Sequence, residues 1–437
     1  MRTHSVSAIQ KQFWILNKLF PENAAYNIPM VYKINGIPDI NILEKAINTI
    51  ITRHESLRVD FKLNKRNIEQ TIYDENSFTF KIEYVEVNKE FSDHEIEGII
   101  EEIHKPFKLD EWPLFRIKLF VYKNNISVLS IVFHHIIVDQ HSKNIFTREL
   151  SQLYNHYKCG CKHNLKEDVI QYAEYVNWEK KWLKTNEARK MLQYWHNNFA
   201  NSDYFLHLPT DYKRPQYLSH QGKSRYFSLD KSITEKIVAF SKENTIRAFV
   251  VLLTAYAIML HKLSYQNNIT IGVPLTNRRK EKTKDIFGVF VNILPIVVNF
   301  SAQLTGIKLI RQIRHTLLQA HRNQEIPFLH IVDHVKFKRN PSYTPFFQVG
   351  FTFAPPLNIN LEELEIFSLI IEREGVQLDL FYTLWEKDGT IHGYSEYPIN
   401  LFEESTIKQW ENLFRDIICR IIQNPDMAIE SLDIVSD

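Results

Sequence analysis

Two periods organise the apolar positions of this chain. Between residues 41 and 53, Ile42, Leu43, Ala46, Ile47, Ile50 and Ile51 recur at helical spacing and predict a helix with one buried face. Residues 114–122 and 126–135 are apolar runs separated by Lys123, Asn124 and Asn125, which predicts a β-hairpin. Helical spacing returns at 142–157 through Ile145, Phe146, Leu150, Leu153 and Tyr154. Residues 249–263 read as a buried helix, with a strand after it at 269–273. Further strands are predicted at 346–353 and 379–385, and an amphipathic helix at 405–422. Helices and strands mix throughout, which predicts an α/β (α+β) fold rather than a separated all-α or all-β chain. The polar, aromatic-rich stretch 158–189 interrupts the pattern. We place a boundary there, giving a first lobe of residues 1–175 and a second of 176–437.

Composition narrows the choices. A chain of 437 residues, 44% hydrophobic and 24% charged, fits one large or two medium domains and is too apolar for disorder. Lys plus Arg number 53 against 51 Asp plus Glu, a balance that predicts neither nucleic acid nor an anionic membrane as partner. Glycine is scarce at 11, and no two stand as G-x-G, which removes the dinucleotide and phosphate-loop fingerprints. Cys159, Cys161 and Cys419 cannot form a disulfide framework and read as free thiols of a reducing cytoplasm. Gln10, Lys11 and Gln12 break the N-terminal apolar residues, so no signal peptide is read there. The longest apolar stretch, 249–260, falls short of the ~18–20 residues that span a bilayer. A cytoplasmic, monomeric protein is expected.

The string Phe133-His134-His135-Ile136-Ile137-Val138-Asp139 carries the most chemistry. Alternation along a strand sends His134 and His135 to opposite faces. Desolvation at a buried strand end favours the neutral, proton-accepting imidazole. Asp139, in the turn before a helix, can cap that helix or hold an arginine. Spacing alone fits two core histidines and an N-cap aspartate equally well. Nucleophile triads find no support, since G-x-S-x-G is absent and no cysteine lies in an activating setting. H-E-x-x-H is absent too, and two adjacent strand histidines cannot chelate one ion, so no metal is expected. The basic runs 278–282 and 336–339 read most simply as solvated surface.

HHIIVDQ (134–140) resembles the H-H-x-x-x-D-G signature of condensation domains from nonribosomal peptide synthetases. Other segments are similar to that family's motifs, in the family's order. SAIQKQFWIL (7–16) with YNIP (26–29) resembles the opening motif, and RHESLRVDF (53–61) resembles R-H-E-x-L-R-x-x-F. YAEYVNWEKKWL (172–183), Tyr194-Trp195 and LPTDYKRP (208–215) resemble the central motifs. IGVPLTNRR (271–279) with GVFVNILP (288–295) is similar to the fifth, and NQEIPFLHIVDHV (323–335) with PFFQVGFTF (345–353) to the sixth. LDLFYTLWE (378–386) and YPINLF (397–402) complete the set.

This resemblance, which covers nearly the whole chain, implies two chloramphenicol-acetyltransferase-like lobes in a V-shaped pseudo-dimer. It implies an acyltransferase that forms an amide bond between a donor thioester and an acceptor amine. Both substrates would arrive on phosphopantetheine arms of donor and acceptor carrier proteins, with adjacent synthetase modules as further partners and no bound cofactor. Carried over by position, His135 is the catalytic histidine and His134 its structural neighbour. Asp139 is expected to pair with Arg278 and so tie the motif loop to the second lobe, while Arg58 holds the first lobe together. Gln140, Asn292 and Trp195 are expected near the cleft or substrate channel.

Gln140 stands where the family has glycine, His141 where tryptophan is common, and Asn323 where the sixth motif has histidine. These departures point to altered substrate fit in an active enzyme. The opening motif leans toward an L-configured or acyl/polyketide donor. Three other readings stay open: an epimerisation domain, an acyltransferase to a free amine or alcohol, and a catalytically silent domain that recruits partner proteins.

Overall fold

The computed structural model describes residues 1–92, 96–199, 205–335, 340–372 and 374–432. The basic run 336–339 lies outside them. The chain divides into two compact units, and neither is continuous in sequence. The first comprises Met1–Glu187, Thr276–Val291 and Pro356–Glu372; the second comprises Ala188–Leu275, Asn292–Pro355 and Arg373–Asp437. The division therefore differs from a single cut at 175. The first unit runs on to Glu187 and takes in two segments from much later in the chain.

Within the first unit, a five-stranded sheet runs in the order Glu365–Leu369, Asn27–Asn35, Ile126–His134, Phe115–Tyr122, Glu83–Val87. Its central hairpin is the one that the sequence predicts, and Asn125 closes the turn with a left-handed φ of 56°. Strand Ile126–His134 is buried on both faces. Leu129, Ile131 and Phe133 enter one apolar cluster, while Val128 and Val132 enter another. Helix Ile40–Arg53 caps on Asp39, buries Leu43, Ala46, Ile47, Ile50 and Ile51, and packs on helix Gln140–Cys159. A small antiparallel sheet, Arg2–Ser5 with Asn67–Ile72 and Val59–Asn64, completes this unit's strands among the described residues.

In the second unit a mixed six-stranded sheet runs Asn292–Asn299, Asn268–Leu275, Val349–Phe353, Leu380–Lys387, Thr390–Pro398, Gly222–Ser228. Helix Ala248–Ser264, wholly buried from Val250 to Leu260, packs against Gly306–Arg322 and Glu404–Gln423. The strand expected at 346–353 begins only at Val349. Phe346 and Phe347 are buried, so their apolar character is core, but Phe346 adopts φ 66° and the Phe347 N–H donates back to the Pro345 carbonyl. A turn, not a strand, delivers these two rings to the interior.

Candidate active site

The motif strand ends at His134, and His135 opens the turn that follows. Backbone bonds fix both: His134 N–H donates to Leu114 O and His135 N–H to Tyr26 O, each at 2.9 Å. His134 is buried and its Nδ1 accepts from the Ile136 N–H at 3.1 Å, which places its proton on Nε2. Burial first, then the charges of His135 and Arg116, push its pKa down to about 3. His134 is a neutral part of the scaffold at neutral pH.

His135 is half-buried and held differently. Its Nδ1 lies 2.7 Å from the Val138 carbonyl, which can only accept, so Nδ1 carries the proton and Nε2 is the ring's acceptor. Burial pushes His135 below the usual histidine range. Backbone hydrogen bonds and the Asp139 charge offset this in part, while Lys143 adds to it. The result is a neutral imidazole with a defined tautomer.

Asp139 is the N-cap of helix Gln140–Cys159, and its contacts are structural. Oδ1 accepts from Ser142 N–H at 2.7 Å and Oδ2 from Phe290 N–H at 2.9 Å; Arg278 Nη2 lies 3.1 and 3.3 Å from the two oxygens. Burial alone would raise this carboxyl. The Arg278 charge and the two N–H donors overcome that and hold it below the usual carboxylate value.

Arg278 belongs to the segment Thr276–Val291, which is part of the first unit. The pair therefore forms inside one unit and does not tie the motif loop to a second one, a correction that follows from where this excursion packs. The basic run 278–282 is also split: Arg278 is buried, while Arg279, Lys280, Glu281 and Lys282 are exposed. Arg278 Nη1 donates to Thr283 O at 2.7 Å and Ile286 O at 2.6 Å, and the guanidinium lies 4.0 Å from the Phe290 ring centroid.

Other predicted residues fall as follows. Arg58 is buried and donates to the carbonyls of Ile51 (2.9 Å), Thr52 (3.2 Å) and Tyr73, fastening the end of helix Ile40–Arg53 to residue 73. Gln140 is half-buried, the first residue of its helix. His141 lies 2.8 Å from Lys284 O through Nε2, on the same excursion that Arg278 organises.

Asn292 and Trp195, expected to line a cleft, are instead buried in the second unit. Asn292 Nδ2 donates to Gln324 O and Ile326 O, its Oδ1 accepts from Phe328 N–H, and Trp195 Nε1 donates to Asn323 O. Their polar groups are spent on clamping residues 323–328.

The fold adds four residues that the sequence did not single out. Ser142 accepts from Arg278 Nη2 and Gly288 N–H and donates to Gly288 O. Its position three residues after the N-cap was the available signal. Tyr172, at the start of its motif, reaches Val289 O and Ser7 Oγ. Gly288 presses against the Tyr172 ring where no Cβ would fit. Phe13, in the opening motif, stacks on the His135 ring.

Among the described residues no three His, Cys, Asp or Glu side chains converge as a metal requires, and no single helix is long and apolar enough to cross a membrane.

The fold is that of solved nonribosomal peptide synthetase domains. It matches the four-domain synthetase holo-AB3403 with a TM-score of 0.88 at 23% identity, covering 100% of this chain and 34% of that one. It matches the X-domain from teicoplanin biosynthesis with a TM-score of 0.87 at 21% identity, covering 99% and 97%. The condensation-domain family profile matches residues 1–437, and the chain belongs to that family. It is 30% identical to gramicidin S synthase 2 of Brevibacillus brevis over 99% of this chain and 10% of that protein. It is 29% identical to bacitracin synthase 3 of Bacillus licheniformis over 99% and 7%. The chain thus spans a small fraction of the length of these relatives.

Proposed function

We propose that this chain catalyses amide-bond formation between a donor acyl thioester and the amine of an acceptor, both carried on phosphopantetheine arms. In that reaction the amine nitrogen attacks the thioester carbonyl, a C–N bond forms, the C–S bond breaks, and the donor arm leaves as a thiol. The amine sheds one proton and the departing sulfur takes one up. His135 is suited to carry it, because Nδ1–H is committed to Val138 O and Nε2 is left as the acceptor. That tautomer is the observation on which the reading rests most.

A free α-amine titrates near ~8, so little basicity is needed to deprotonate it as it attacks. The neutral Nε2 acceptor fits either role: it can take the proton of the attacking amine, or accept its N–H and stabilise the positive charge that develops on nitrogen.

The test is reconstitution with donor and acceptor carriers loaded with a panel of acyl and aminoacyl groups, with mass spectrometry of the acceptor carrier. Product on the acceptor arm supports the reading, and product only with free amines or alcohols redirects it to a soluble acceptor. A second reading, recruitment of a partner protein without catalysis, draws on Gln140 in the glycine position of the family motif. The teicoplanin X-domain, which shares this fold, has been solved as a complex with OxyB. Full retention of His135 and its bonding favours the enzyme.

A further inference from the structure

The ring of Phe13, on helix Ala8–Leu19, is stacked on the His135 imidazole with centroids 4.8 Å apart and an interplanar angle of 24°. It also meets Tyr26 edge-on at 5.4 Å, and it is the Tyr26 carbonyl that accepts the His135 N–H. Phe13 packs in addition against two apolar clusters of the first unit. One holds Phe133 and Phe287, and the other holds Tyr172, Val289 and Phe290. Phe13 thus connects the excursion organised by Arg278 to the face of the histidine.

An imidazole held by one hydrogen bond can still swing about χ2, a broad two-fold torsion. A flip would break the Nδ1–H to Val138 contact and exchange the two nitrogens. A stacked ring on one face opposes that swing and also keeps water from that face. Helix Ala8–Leu19 is tied to the rest of the unit on both sides of Phe13: Ala8 N–H donates to Glu179 Oε2 at 3.0 Å and Asn17 Nδ2 donates to Phe107 O at 3.3 Å.

We propose that Phe13 is a positioning residue that holds the His135 imidazole in one orientation and one tautomer. Its importance for turnover rests on the proposed condensation reaction; its effect on the imidazole does not. The charged and titratable groups around His135 are His134 on the strand and Asp139 and Lys143 on the turn and helix that follow.

The experiment uses the whole chain with labelled histidine, in wild type, Phe13→Leu, Phe13→Ala and Phe13→Tyr. Imidazole NMR across a pH titration reports the His135 tautomer and pKa, and the same proteins are assayed for kcat and KM. Wild type and Phe13→Tyr should show a single Nδ1–H tautomer. Phe13→Leu keeps an apolar side chain without a ring and should show mixed tautomers, with kcat lowered about tenfold and KM within twofold. Phe13→Ala should in addition move the His135 pKa up toward the ordinary histidine value. An unchanged tautomer in both Phe13→Leu and Phe13→Ala overturns the proposal, whatever the activity. If wild type is inactive on every loaded carrier while the variants still lose the tautomer, the condensation reading fails and the positioning role stands.

Discussion

The Ser142 hydroxyl and the Gly288 backbone bond each other in both directions: Oγ donates to the carbonyl at 2.6 Å and accepts from the N–H at 3.0 Å. Around this link Asp139 caps its helix and Arg278 gathers the carbonyls of the excursion. The Asp139–Arg278 contact is therefore the centre of a buried network rather than an isolated ion pair.

Breaking it from one side should be costly. Asp139→Ala leaves the Arg278 charge buried without its partner, which costs ~3–5 kcal/mol, and removes the N-cap as well. The denaturation midpoint should fall, with activity falling in parallel. A fully stable but inactive Asp139→Ala protein would show instead that the carboxylate takes part in the chemistry. Because the folded pKa of Asp139 is depressed, its stabilising contribution is complete above the ordinary carboxylate value of ~3.9. It is lost progressively as pH falls from there through the lower, folded value.

His135→Ala should fold as wild type does, since the ring is half-buried and its Nδ1 bond reaches only a carbonyl of its own turn. The rate of amide formation should drop by ~10²–10⁴, the usual contribution of a positioned acid–base group. Near-full activity in a well-folded variant removes His135 from the mechanism.

Glu411 gives a pH prediction remote from the motif. Burial pushes its carboxyl up to about 7, although Ser395 and Arg225 pull the other way. A carboxyl with a raised folded pKa binds more protons folded than unfolded, so its contribution weakens as pH rises from about 4.5 to 7. At 1.36 kcal/mol per unit the effect is bounded near ~3 kcal/mol. Glu411→Gln removes the titration. Unfolding free energies measured from pH 5 to 8 should show wild type losing ground to the variant as pH rises. Parallel curves would mean that Glu411 ionises as an ordinary surface glutamate.

Gln140→Gly should keep turnover within about tenfold, a barrier change of ~1.4 kcal/mol, while broadening the range of acceptors. Competition among acceptor amines of different bulk reads this directly. An unchanged ranking makes Gln140 a tolerated replacement. A gain of several orders of magnitude would mean that the natural chain is impaired and would favour the recruitment reading.

Much of this was legible in sequence because it is local. Helix Ile40–Arg53, the hairpin ending at His134 and helix Ala248–Ser264 are written in the spacing of neighbouring apolar residues. The histidine motif is equally local, seven consecutive residues. What periodicity could not carry is where distant segments pack. Arg278 reads as part of a charged surface run, yet the polypeptide returns it to the first unit. Asn292 and Trp195 lie in motifs, which suggested contact with substrate, but their polar atoms go to the backbone of residues 323–328. Phe13 is one apolar residue among several on its helix, and only the folded structure sets its ring on His135.

The discontinuity of the first unit sets a timetable for biosynthesis. Arg278 lies 139 residues beyond Asp139, so a ribosome adding ~5–20 residues per second delivers the carboxylate roughly 7–28 s before its partner. Strand Asn27–Asn35 waits longer still for Glu365–Leu369 to cover its edge. During that interval its backbone is open to pairing with other nascent chains. The first unit therefore stays incomplete until Glu365–Leu369 has been made: four of the five strands are in hand by His134, and the one open edge is exposed for tens of seconds to pairing with other nascent chains.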